Sequence, residues 1–261
     1  MSSIASPSST PPLTLNAARR GVGPCLVFLH YFGGSSHTWG EVIDYLQEGF
    51  DCIALDLRGW GDSPAPDEGY SVADTGRDVE NTLQTLGVGE YVLVGHSMGG
   101  KVAQWMAAQS APGLTRLLLA APSPLSPEPM SDTSRRDLRE AWGDRDACRA
   151  ILANITAQAL PPIAAQGVLA DNLRASRAAW HAWCDLGSRE NLAGDYAHIN
   201  IPTALLAGEC DAPLSPAFLH EHVAARLTHC PVSVVSGAGH LLPLEAPEAV
   251  AGFIRRNVRE G

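Results

Sequence analysis

The chain has 261 residues, of which 45% are apolar and 18% charged, and its formal net charge is −10. That length suits one large α/β domain, or a core carrying an inserted sub-domain, with enough apolar residues for a sizeable interior. An acidic chain with no Lys/Arg run is a poor partner for nucleic acid or an anionic membrane, and no stretch reaches the roughly 18 apolar residues of a membrane span.

Residues 1–12 are rich in Ser and Pro and contain no Lys or Arg. They lack the basic start and apolar stretch of a signal peptide, and a disordered tail is expected there. Residues 13–17 are a candidate edge strand. Apolar runs then follow at 25–30, 52–57, 91–95, 117–121, 203–207 and 232–235. Most are continuous rather than alternating, as expected for strands covered on both faces. Helical stretches are expected at 36–47, 73–86, 97–111, 216–227 and 247–258. Strands alternating with helices imply a doubly wound, mostly parallel sheet flanked by helices. Residues 122–200 break this rhythm. A Pro/Ser-rich linker opens the segment, and Ala-rich sequence with Trp142, Trp180 and Trp183 continues it. It reads as a helical cap, 122–200, inserted in a core formed by 13–121 and 201–261.

The six cysteines (Cys25, Cys52, Cys148, Cys184, Cys210 and Cys230) show no CxxC spacing. They are expected to be small buried thiols rather than disulfides, which suits a reducing cytoplasm.

The run at 91–95 leads into Gly95-His96-Ser97-Met98-Gly99-Gly100 and then a helix. The bare G-x-S-x-G pattern is weak, since chance supplies it in roughly one chain in five or six of this length. Its context is stronger. A serine between a strand and a helix sits on a tight turn that lifts its hydroxyl above the sheet edge. Small neighbours are needed two before and two after, and the helix N-terminus favours developing negative charge. Ser97 is therefore the candidate nucleophile.

A serine needs a base to take its proton. His240, in Ser236-Gly237-Ala238-Gly239-His240, follows the last apolar run and falls at the carboxyl edge of the sheet, with Ser97. The base in turn needs a carboxylate to orient it, and Glu209 and Asp211 both follow the run at 203–207. The oxyanion needs backbone donors. The amides of Met98 and, in the loop His30-Tyr31-Phe32-Gly33-Gly34, of Phe32 are the candidates. His30 is read as a prop for that loop. No metal-ligand cluster or dinucleotide fingerprint is present, so no cofactor is implied.

Taken in order, the loop at 30–34, Asp56-Leu57-Arg58-Gly59-Trp60-Gly61-Asp62-Ser63, the elbow, Gly208-Glu209-Cys210-Asp211, and Gly239-His240 with Glu245-Ala246-Pro247 resemble the α/β-hydrolase superfamily. The likeness is to its small capped members, and it spans nearly the whole chain except the cap. The resemblance implies an α/β fold and a Ser97–Asp211–His240 triad, favouring Asp211 over Glu209. It implies a structural loop held by Asp56 and Arg58. Tyr31 departs from the pattern, because the family usually has glycine after the loop histidine; a side chain there limits positive φ and adds bulk beside the site. Epoxide hydrolases and haloalkane dehalogenases of this fold carry aspartate at the elbow, so Ser97 argues against both.

The expected chemistry is hydrolysis of a small to medium ester or lactone through an acyl-enzyme. The alternatives are C–C bond hydrolysis, with Arg174, Arg177 or Arg189 receiving a carboxylated substrate, cofactor-free perhydrolysis, a hydroxynitrile lyase, and a non-catalytic ligand receptor. Tyr31, Trp142, Trp180 and Trp183 are candidate pocket residues, with cap core as the competing reading for the tryptophans. His181 and His198 are read as surface or packing residues. The expected partner is a small molecule, with no nucleic acid or membrane, and the chain a monomer or homodimer.

Overall fold

The structure is a computed structural model and describes residues 11–259. The expected tail at 1–12 lies outside the described residues for its first ten positions. Seven strands form one sheet: β1 (Ala17–Arg20), β2 (Cys25–Leu29), β3 (Asp51–Leu55), β4 (Tyr91–His96), β5 (Leu114–Ala120), β6 (Thr203–Gly208) and β7 (Val232–Val235). Their spatial order is β1-β3-β2-β4-β5-β6-β7. β1 pairs antiparallel with β3, and every other pairing is parallel.

The continuous apolar runs become strands because both faces of the sheet are covered. In β2, Val27 and Leu29 enter one apolar cluster, while Leu26 and Phe28 enter the other. All four are fully buried, and burial of each such side chain contributes about 1.5–3 kcal/mol. Four helices provide that cover. The α1 helix (Gly40–Leu46), entered through a 3-10 turn at Ser36–Trp39, packs against the C-terminal helix on the Leu26/Phe28 face. Opposite lie α2 (Val72–Thr85) and α3 (Met98–Ala108), with Val79, Leu83, Val102 and Met106 in the Val27/Leu29 cluster. Ser71 and Asp74 form a reciprocal capping box that starts α2.

The edge strand forms at 17–20 rather than at 13–17. The Leu13 and Leu15 amides donate to Asp78 Oδ1 and Thr82 Oγ1 of α2, which ties residues 13–15 to the helix instead of the sheet.

Between β5 and β6 lie α4 (Asp132–Glu140), α5 (Arg145–Ile155), α6 (Pro162–Arg174) and α7 (Arg177–Asp185), then 3-10 turns at Gly187–Arg189 and Ala193–His198. Three helices complete the described chain: α8 (Pro216–His222), α9 (Leu242–Glu245) and α10 (Pro247–Arg259). The α8 helix stops five residues before the expected end at 227, because Val223 leaves helical geometry (φ −122, ψ −66) and a 3-10 turn follows.

The six cysteines are free. Cys52, Cys148 and Cys184 are buried and Cys25 and Cys230 partly so, but Cys210 is exposed. Cys210 lies in the turn after β6, outside the packed strand, which corrects its reading as a buried thiol. Burial pushes the Cys52, Cys184 and Cys230 thiols up to about 12.

Parallel strands bring their carboxyl ends to one edge. The turns after β2, β4, β6 and β7 all open there, which gathers residues 30–34, Ser97, Asp211 and His240.

Candidate active site

Ser97 is the residue between β4 and α3, with φ 51 and ψ −117. A non-glycine residue held in such a region costs about 1–3 kcal/mol. The surroundings impose it: the Ser97 amide donates to Ala120 O, and its carbonyl accepts from Lys101 and Ser123. A Cβ at Gly95 would lie 2.7 Å from Gly100 Cα, and one at Gly99 would lie 2.6 Å from His30 O. Any larger residue at either position would push strand and helix apart.

Ser97 stands at the N-cap of α3, yet its side chain caps no amide. Its Oγ lies 2.9 Å from His240 Nε2, and His240 Nδ1 lies 2.7 Å from Asp211 Oδ2. All three residues are buried. Asp211 Oδ1 accepts from the Leu214 amide, which sets the carboxylate's orientation. Glu209 turns elsewhere and binds Ser236 Oγ and the Gly237 amide. Burial opposes charge on His240, but the Asp211 carboxylate, aided by Glu128 and Glu245, outweighs it and raises the imidazole above its ordinary value. A hydroxyl facing an imidazole that a carboxylate orients is arranged for nucleophilic attack.

The backbone around His240 is held from several sides. Glu245, from the Glu245-Ala246-Pro247 motif, accepts from the Gly239, Leu241 and Ala157 amides. The His240 amide donates to Ile155 O. His96, which sequence reasoning passed over, places Nε2 2.8 Å from His240 O, with ring centroids 5.3 Å apart. Burial holds His96 well below the ordinary imidazole range, so it is neutral and donates from Nε2.

His30 accepts from the Leu57 amide at Nε2, so its Nδ1 carries the proton toward Tyr31 O at 2.7 Å. Burial keeps it neutral. The Gly99 amide donates to His30 O, which ties the loop to the first turn of α3. Neither the Phe32 nor the Met98 amide has an acceptor among the described residues. The positive φ in this loop falls on Gly33 (φ 87), so a side chain at Tyr31 needs no left-handed backbone. Asp56 binds the Ser36 and Asp62 amides and Asn16 Nδ2, while Arg58 forms a buried two-point pair with Asp78 at 2.5 and 2.6 Å. Both therefore hold their loop and stand apart from Ser97.

A cavity of about 370 Å3 opens over Ser97 and His240. Tyr31, Phe32, Leu138, Leu152, Val168, Trp180, Trp183 and Leu214 supply much of its apolar wall. Trp180 packs against Phe32 in a tilted arrangement, ring centroids 4.5 Å apart. Trp142 does not line the cavity, which corrects the sequence expectation. It is 37% exposed, donates to Ala175 O and lies under Arg177. Helix packing turns it outward. Arg174 pairs with Asp62 and Asp171, Arg189 pairs with Asp132, and among the described residues no Lys or Arg lines the cavity. Glu128, Ser131, Ser134 and Asn172 line it instead. Nothing in residue spacing distinguished these four from linker and surface positions.

A family model described as the alpha/beta hydrolase fold matches residues 24–166. A 2-(acetamidomethylene)succinate hydrolase of Mesorhizobium japonicum is 32% identical over 262 aligned residues, covering 93% of this chain and 92% of that protein. Among solved structures, an esterase from Exiguobacterium antarcticum superposes with a TM-score of 0.86 at 20% identity, covering 94% of this chain and 95% of its own. An E-2-(acetamidomethylene)succinate hydrolase superposes with a TM-score of 0.80 at 25% identity, covering 95% and 96%. The match over more than half of the chain, and the relative aligned over nearly all of it, show that this protein belongs to the α/β-hydrolase family.

Proposed function

We propose that this chain is a serine hydrolase that cleaves a small to medium ester or lactone through an acyl-enzyme on Ser97. The observation carrying this reading is the hydrogen-bonded series Ser97–His240–Asp211 at 2.9 and 2.7 Å, open to an apolar cavity. Ser97 Oγ attacks the carbonyl carbon while His240 Nε2 takes its proton. Asp211 holds the imidazole by Nδ1 and steadies the imidazolium. The unpartnered amides of Phe32 and Met98 receive the oxyanion. His240 then protonates the leaving oxygen. Water, deprotonated by His240, attacks the acyl carbonyl, and Ser97 leaves with the proton returned.

The name of the Mesorhizobium relative points to an acylated enamine bearing two carboxylates. Such a substrate, or a carboxylated diketone for C–C cleavage, calls for cationic side chains in the pocket. Among the described residues the cavity has no Lys or Arg in its lining, which favours an uncharged ester or lactone instead. Free cysteines suit a reducing compartment, and no helix among the described residues is long and apolar enough to cross a membrane. We place the enzyme in the cytoplasm on the thiols.

Turnover of a p-nitrophenyl ester series from acetate to octanoate, with fluorophosphonate labelling lost in Ser97→Ala, is the expected result. An unlabelled Ser97, with no turnover at any acyl length, would leave the fold as a binder and sink the proposal.

A further inference from the structure

Glu128 stands out in the cavity wall. It lies in the stretch between β5 and α4, and it is the one Asp or Glu lining the cavity among the described residues. Its position is built. The Glu128 amide donates to Ser188 O, and Ser123 Oγ donates to Oε1. Ser123 is itself fixed, because its amide donates to Ser97 O and its carbonyl accepts from Gln104 Nε2. A chain of hydrogen bonds therefore runs from the backbone of Ser97 to the Glu128 carboxyl. Oε2 has no hydrogen-bond partner among the described residues.

The cation acting most strongly on Glu128 is Lys101 on α3. Its ammonium is spent on the Ser126 and Glu190 carbonyl oxygens, and it does not line the cavity. The substrate space thus meets a carboxyl with a free oxygen and, among the described residues, no Lys or Arg beside it; the one basic side chain in that lining is the His240 imidazole.

We propose that Glu128 is a specificity-determining residue of this hydrolase, accepting a hydrogen-bond donor or cationic group of the substrate at Oε2 and turning away substrates that carry a carboxylate. The inference rests on the serine hydrolase reading above. It separates this pocket from that of a dicarboxylate hydrolase: an anion entering here meets like charge in a low-dielectric space, where unit charges a few ångströms apart still interact strongly. A hydroxyl or ammonium finds an acceptor already oriented by Ser123.

The test uses three butyrate esters of similar size, followed by proton release: butyrylcholine, 3,3-dimethylbutyl butyrate, and a butyrate ester with a carboxylate at the same distance from the ester oxygen. The same three charge types are then placed on the acyl side with a constant alcohol, since Glu128 faces one half of the substrate only. On one of the two sides, kcat/KM should fall from cationic to anionic ester by roughly tenfold or more. Glu128→Gln keeps the shape and an acceptor for Ser123 Oγ, and it should shrink that cation-to-anion ratio about tenfold. The ratio is read within each variant, so a general loss of activity does not mimic the effect.

Ratios near unity in the wild-type enzyme on both sides, with the neutral ester cleaved in a Ser97-dependent way, would overturn this proposal and leave the hydrolase reading intact. Retention of the full ratio by Glu128→Gln would overturn it equally. Should Glu128→Gln not fold, the wild-type ratios decide, with Glu128→Asp as the second variant. No cleavage of any ester, and no labelling of Ser97, would overturn both readings.

Discussion

The sheet and the helices between β5 and β6 meet at one cavity, but they are packed to different degrees. Strands β2 to β6 bury alternate side chains on both faces, and close backbone contacts at Gly95 and Gly99 lock α3 against β4 and the end of β2. The helices between β5 and β6 differ among themselves: α4 buries only Arg135 in its helical span and α5 only Cys148 and Leu152, whereas α7 buries Ala179, Trp180, Trp183 and Cys184. Apolar packing ties them to the sheet-bearing part, with the Trp180 ring centroid 4.5 Å from that of Phe32 and 6.1 Å from that of Trp60, and polar contacts add to it. Asp171 accepts from Ser35 Oγ, Asn172 donates to Gly33 O, and Lys101 donates to Ser126 O and Glu190 O. A packed sheet tolerates little change in volume, whereas side chains that face a cavity can change at lower cost. Ser97, Asp211 and His240 lie in the turns at the sheet edge, and much of the cavity wall comes from the helices between β5 and β6.

Substitutions should separate these halves. The largest effect is expected at Ser97→Ala, which should lower kcat on p-nitrophenyl butyrate by about 10^4-fold or more with the circular dichroism spectrum kept. Asp211→Asn removes the charge that stabilises the imidazolium and should lower kcat by about 10^4-fold; Glu209→Gln should not, because Glu209 serves Ser236 and Gly237. Deep in the sheet, Phe28→Ala should cost about 3–5 kcal/mol in urea unfolding, since Phe28 is fully buried 5.1 Å from Trp39.

The pH dependence follows from His240. The base must be neutral, and Asp211 outweighs burial to raise it above its ordinary 6.5. Activity should therefore fall as pH drops through a value above 6.5, and kcat/KM profiles should place the acid limb there. His96, Glu128, Glu245 and Asp211 are the titratable groups that bear on it. A limb well below 6.5 would count against Asp211 as the dominant partner. The smallest effect belongs to the wall: Val168→Phe on α6 should cut kcat/KM for octanoate over acetate by about tenfold, leaving stability nearly unchanged. Equal losses on both esters would mean that this wall does not select the acyl chain.

How far the residues alone could be read follows the same division. Continuous apolar runs, short helical stretches and the glycines flanking Ser97 are local signals, and they placed strands, helices and the elbow to within a few residues. The edge strand slipped because Leu13 and Leu15 bond to side chains of α2 more than sixty positions away. The acid could be chosen between Asp211 and Glu209 only by resemblance, as both follow β6; the fold decides by turning one toward His240 and the other toward Ser236.

The inserted segment was less legible. Trp142, Trp180 and Trp183 looked alike as a set, yet packing of α4 on α7 sends Trp142 outward and brings Trp180 onto Phe32. Glu128 carried no signal in a Pro/Ser-rich linker. Residue order was enough to place Ser97 because a strand, a tight turn and a helix dictate where it points. The direction of a pocket side chain depends on how one helix docks on another, through contacts such as Asp171 to Ser35, 136 residues apart, and that information exists only once the chain has folded.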